Sequence, residues 1–179
     1  MKKNKKLIIA ITIFIIIACG LLGFIYFGGK SDDKTIDEPT VSKIDSTQSA
    51  SEIIAKQDTF SKFSTALSTN GLLPELEGQV TVFAPNDQAF NNLPETTKIT
   101  ESLDKKIAGY HIAKGLYITT ELTDGQKIPT LGGLDLVVLK QDDAIYLLDA
   151  KGNKVKILSS DLKTKDGYIQ EVGQVFIPQ

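Results

Sequence analysis

The chain has 179 residues, 41% of them hydrophobic, which suffices for one folded domain but not for two once an apolar N-terminal stretch is set aside. Its formal charge of -2 hides an asymmetry: Lys2, Lys3, Lys5 and Lys6 precede the apolar stretch, whereas from Gly28 onward 16 lysines face all 22 acidic residues, leaving that part at about -6. With no Arg and scattered lysines a nucleic-acid partner is not expected, and with Cys19 as the only cysteine the folded part has no disulfide and no thiolate.

Leu7 to Phe27 contains 21 residues without a charge. At 1.5 Å per residue a helix of that length spans about 31 Å, close to the hydrocarbon thickness of a bilayer. The basic cluster before it and the balanced or acidic residues after it place the N-terminus in the cytoplasm and the rest outside. The expected organisation is a cytoplasmic basic tail over 1–6, a transmembrane anchor over 7–27, a flexible linker over 28–46 and a folded domain over 47–179. Two other readings of the same stretch are cleavage near Gly28, giving a secreted protein, and lipoprotein processing at Ile16-Ile17-Ala18-Cys19, with Cys19 as the lipidated residue. All three export the domain. The linker is rich in Gly, Ser, Thr, Asp and Lys, and its random-coil reach is about 25 Å.

In the domain, Ser51 is the expected N-cap of a short helix carrying Glu52, Ile53, Ile54 and Gln57. Asp58 is expected to cap a second helix, in which Phe60, Phe63 and Leu67 share a face and Asn70-Gly71 forms the stop. Gln79 to Ala84 reads as a buried strand ended by Pro85, and Asn86 as the cap of a helical turn with Ala89, Phe90 and Leu93. Leu103, Ile107 and Tyr110 fall on one helical face. Short strands are expected around Lys127-Ile128, Leu134 to Leu139, Ala144 to Leu148, Lys154 to Leu158, Tyr168 to Val172 and Val175 to Ile177. Gln141-Asp142-Asp143, Lys151-Gly152-Asn153 and Asp166-Gly167 supply the turns between them. Helices first and strands after indicate an α+β domain.

The chemistry-bearing residues are sparse. His111 is the only His, so no His-based triad or metal cluster can be assembled. Asp32-Asp33 and Asp142-Asp143 lack the spacing of a calcium loop and read as solvated charge. Leu131-Gly132-Gly133 lacks the Lys and the strand-to-helix context of a phosphate loop and reads as a turn or bulge. No motif points to paired catalytic carboxylates, and no cofactor or metal is expected.

Three separated segments, in order and in register, resemble the fasciclin family: TVFAPNDQAFNNLP over 81–94, GYHIAKG over 109–115, and SDLKTKDGYIQEVGQVFIP over 160–178. The resemblance covers about Thr47 to Gln179. It implies a β-wedge of two small sheets with the N-terminal helices packed alongside. For Tyr110 and His111 it implies part of a ligand surface; the alternative is that Tyr110 sits in the core and His111 satisfies a buried group. Asp161-Leu162 resembles the Asp-Ile pair that animal relatives use in integrin-linked adhesion; the alternative is an Asp capping a turn before Leu162 enters the core. Gln170 stands where relatives often have His, and Leu162 where many have Ile. The function so implied is a cell-surface binding module for adhesion to a surface protein, a matrix or a polysaccharide, with no enzymatic activity. The alternative is a carrier of a small hydrophobic ligand such as a lipid or pigment.

Overall fold

The structure, a computed structural model, describes residues 47–93 and 103–178. The expected tail, anchor and linker, together with Cys19, lie outside the described residues. Among the described residues no helix is long and apolar enough to cross a membrane.

Helix α1 (Ala50–Lys56) starts at Ser49 rather than Ser51. Ser49 accepts the Glu52 N–H while the Glu52 carboxylate accepts the Ser49 N–H at 2.9 Å, a reciprocal capping box that satisfies two end donors at once. Asp58 opens not an α-helix but a 3-10 turn, Asp58–Phe60, and helix α2 (Ser61–Thr69) follows it. The N-terminus of α2 is capped from a distant element: Asp87 accepts the Lys62 backbone N–H at 2.9 Å and the Ser61 hydroxyl. At the other end Asn70 is the C-cap, and Gly71 takes the left-handed conformation at φ 65°. A second 3-10 turn (Leu73–Leu76) leads into strand β1 (Val80–Pro85). Helix α3 (Asp87–Asn91) is capped by Asn86, as expected, and α4 (Lys105–Gly109) by Asp104.

The remaining strands are β2 (Ile112–Lys114), β3 (Lys127–Pro129), β4 (Asp135–Gln141), β5 (Ala144–Leu148), β6 (Lys154–Lys163) and β7 (Tyr168–Val172). They form one sheet in the order β2-β1-β7-β6-β5-β4-β3, with β1 and β7 parallel and all other neighbours antiparallel. β6 is longer than its apolar pattern suggests and serves both halves. Lys154 to Lys156 pair with β5; from Ile157 to Lys163 the strand pairs with β7, with two register shifts between Ile157 and Leu162. Those bulges turn the sheet into the two leaves of a wedge. The two-residue turn Asp142-Asp143 joins β4 to β5 with both residues at positive φ, 51° and 60°, the backbone of a type I′ hairpin that Asp tolerates well.

Period-two alternation sorts the strands into layers. In the first leaf, Val80, Val82 and Ala84 face the helices and meet Ile54, Phe63 and Leu67, while Phe83 points the other way. In the second leaf, Ile128, Leu136, Val138, Leu147 and Val155 face inward to close a second core with Phe83, Tyr110 and Phe176. The order is therefore helices, first leaf, second leaf. Among the described residues nothing covers the far face of the second leaf.

Val175 to Ile177 is not a strand. It is extended and its side chains Val175 and Phe176 are buried, but its N–H groups go to side chains rather than to a ladder: Phe176 N–H to His111 Nε2 at 3.1 Å and Ile177 N–H to Asp149 Oδ2 at 3.2 Å.

Candidate functional site

Tyr110 and His111 follow α4 directly and enter β2, so the helix end aims both rings into the domain. Neither has exposed surface. The Tyr110 hydroxyl donates to the Asp135 carbonyl at 3.1 Å and accepts the Ala150 N–H at 2.8 Å, which ties α4 to the second leaf. Burial raises its pKa, and the nearby Asp149 and Asp135 charges add to that against the Ala150 hydrogen bond. His111 donates from Nδ1 to the Ile107 carbonyl at 2.9 Å and accepts the Phe176 N–H at Nε2. An N–H aimed at Nε2 requires a lone pair there, so the ring is the neutral Nδ1–H tautomer. Burial pushes its pKa down from 6.5 to about 4, opposed by the Ile107 hydrogen bond. Its ring lies 4.8 Å from Phe176 and 5.5 Å from Phe63, centroid to centroid. The two residues form a core clamp with no surface to offer a ligand.

Asp161 sits in the bulged part of β6 at φ 57°, a left-handed conformation that Asp adopts more readily than most residues. Its carboxylate accepts the Thr119 N–H at 2.9 Å, the Gln170 side-chain N–H at 2.8 Å and the Thr119 hydroxyl. Gln170, fully buried, returns the contact by accepting the Asp161 N–H at 2.8 Å, and donates to the Tyr117 carbonyl at 3.0 Å. Asp161 and Gln170 together hold the Tyr117–Leu122 loop against the sheet. Leu162 is half-buried and packs on the helical core. Tyr110 and His111 are thus brought together in the core, while Asp161 and Leu162 belong to a separate bulge.

Sequence reasoning missed Asp149. It is 5% exposed and accepts four donors: the N–H groups of Lys151 and Asn153 on Oδ1, and the Asn153 side chain and the Ile177 N–H on Oδ2. The Asp-x-x-Gly-Asn run signals the local turn, but not the contact to Ile177. Among the described residues no group of three or more His, Cys, Asp or Glu is placed to hold a metal.

The fold and the three segments meet in one comparison: the family model for the fasciclin domain matches residues 58–178. The chain belongs to the fasciclin domain family. Among its relatives is Protein sll1483 of the cyanobacterium Synechocystis, 32% identical over 142 residues, with 75% of this chain and 76% of that protein covered. Human periostin is 29% identical over 73% of this chain, and the pig transforming growth factor-beta-induced protein ig-h3 is 30% identical over 74%. Those alignments span only 16% and 20% of the two longer proteins. The solved fasciclin domain pair of the insect cell adhesion molecule Fasciclin I superposes with a TM-score of 0.59 at 12% identity, covering 73% of this chain and 51% of that one, which supports the fold. In this fasciclin domain the Tyr-His segment and the terminal Phe176 are parts of one buried contact. Gln170 makes a three-bond network of its own with Asp161 and Tyr117.

Proposed function

We propose that the chain is a membrane-tethered extracytoplasmic binding module that acts in cell adhesion or in attachment to a matrix, glycan or surface protein, and is not an enzyme. The single observation that carries this reading is the fasciclin match over residues 58–178, which spans nearly all of the described domain. Fasciclin I, the insect protein whose domain pair shares this fold, is a cell adhesion molecule. The uncharged run over 7–27 and the basic cluster before it supply the tether, with lipidation at Cys19 or cleavage as alternative processing. Tyr110, His111, Asp161 and Leu162 serve this function by holding the core and the Tyr117–Leu122 loop in shape, so contact with a partner falls to the outer faces. Many tethered copies give avidity to a weak single contact.

The carrier alternative calls for an apolar pocket. Among the described residues, three grooves of about 390, 360 and 310 Å³ are open to solvent and mix Lys, Asp, Thr and Gly with Leu116, Tyr168, Ile145 and Ile157, and none of the three is an enclosed apolar cavity. The test is deletion of the chain in its own cells. Reduced attachment to matrix polymers or partner cells, restored by the full-length chain, supports the proposal. Unchanged attachment overturns it. External protease that removes the domain from intact cells checks the topology, and the size of the retained fragment separates anchor from lipoprotein.

A further inference from the structure

The uncovered face of the second leaf carries a specific pattern. Strand register aligns Lys127, Val137, Leu148 and Lys154 in one row across β3, β4, β5 and β6. The adjacent row on the same face runs Leu139, Tyr146, Lys156. Each row has apolar residues on the two central strands and lysine on β6, and the first row has lysine on β3 as well. The four apolar side chains are half-buried although no described element covers them, and all three lysines are exposed. Leu158, 51% exposed, continues the β6 side, and the Lys154 ammonium lies 3.9 Å from the centre of the Tyr146 ring. Asp135 is the only acidic residue of these strands on that face. In a domain whose acids outnumber its lysines, this is a local reversal of charge.

From this we infer that the outer face of the second leaf binds an amphipathic helix of a partner protein, one whose apolar stripe is flanked by acidic residues. The shape argument is metric. Three interstrand spacings separate Lys127 from Lys154, about 14 Å, whereas a helix with its side chains is about 10–12 Å across. A helix laid along β4 and β5 sets its stripe on Val137, Leu139, Tyr146 and Leu148 and brings carboxylates on its flanks to the lysines on either side. The five residues of β5 cover about 16 Å, the length of three helical turns. A bare polyanion has no use for the apolar centre. A bilayer is met better by protruding apolar tips than by a flat, half-buried strip.

The inference deepens the adhesion reading by assigning the contact surface, and it rests on that reading. It is tested with full-length protein and a designed 15-residue peptide with Leu at helical i, i+3, i+4, i+7 spacing and Glu on both flanks. The expected result is saturable binding that falls at least tenfold in the K127E/K154E/K156E variant and recovers when the peptide's Glu residues are changed to Lys. The milder K127Q/K154Q/K156Q variant, with an unchanged melting temperature, separates loss of binding from loss of fold, and L139T/L148T is expected to abolish binding with charge intact. Peptide binding that ignores all these substitutions overturns the inference, as does equal, lysine-dependent binding of poly-glutamate or of phosphatidylglycerol vesicles. Cell attachment that depends on the chain but is unaltered by the lysine reversals also overturns it and leaves the adhesion reading standing. Attachment that never depended on the chain removes that reading instead.

Discussion

The Nε2 atom of His111 accepts the backbone N–H of Phe176 at 3.1 Å, and the two ring centroids lie 4.8 Å apart with the planes tilted by 34°. This bond replaces a strand-ladder contact for the last buried segment of the chain and exists only while the imidazole is neutral.

Stability is therefore expected to fall in mild acid. The folded pKa of about 4 lies below the ordinary 6.5, so the unfolded chain takes up the proton first. The His111 contribution is complete above pH 6.5, declines as pH drops, and is lost by about pH 4. Between pH 7 and 4.5 that amounts to about 2–3 kcal/mol. Urea denaturation at the two pH values should show this loss, and His111→Asn, less stable at pH 7, should lack most of the added drop. An equal pH dependence in both proteins contradicts the assignment.

Asp161 combines a left-handed backbone with three accepted hydrogen bonds. Asp161→Ala leaves the Thr119 and Gln170 donors without their acceptor and places a residue with weaker left-handed tolerance at φ 57°. A loss of about 3 kcal/mol is expected. Asp161→Asn keeps the backbone tolerance and part of the bonding and should cost about half as much. Thermal melts rank the two, and faster amide exchange at Thr119 should accompany both.

Two glycines are required by backbone approach. A Cβ on Gly167 would sit 1.9 Å from the Val80 carbonyl oxygen, and one on Gly132 would lie 2.7 Å from the Lys106 carbonyl and 2.8 Å from the Tyr110 nitrogen. Neither obstacle is a flexible side chain. Gly167→Ala and Gly132→Ala should each cost at least about 3 kcal/mol, with Gly167 the worse, as read from chemical denaturation.

Asp87 caps α2 from outside its own helix. Asp87→Ala should cost about 1–2 kcal/mol, and Ser61→Ala less, because the Lys62 N–H still reaches Asp87. If the cap acts as described, the double variant loses less than the sum of the single losses.

Local signals in the sequence located what local forces build. Asn86 capping α3, the Asn70-Gly71 stop, the Asp142-Asp143 hairpin and the order of helices and strands all depend on neighbours within a few residues. The Ser49 cap was equally legible, since Ser49-Ala50-Ser51-Glu52 has the spacing of a capping box and Ser51 does not. Val175 to Ile177 misleads because a buried extended segment has the same apolar pattern whether its N–H groups meet a ladder or the side chains of His111 and Asp149. Tyr110 and His111 lie in one of the three segments that resemble the family, yet only the tertiary packing reveals that both side chains are buried. The Lys-apolar-apolar-Lys row was hidden for a related reason: its four members come from four strands and become neighbours only through register.

The parallel pairing of β1 with β7 sets Thr81 beside Tyr168 in the middle of the first leaf. That contact is non-local, and neither core can close before the end of the chain arrives to supply β7 and Phe176. A product that stops short of β7 keeps the apolar faces of β1 and the helices open to water, so it is a substrate for proteolysis rather than a smaller working domain. The domain therefore has no smaller folding unit inside it: each leaf depends on a strand or a ring that the most distant part of the domain supplies.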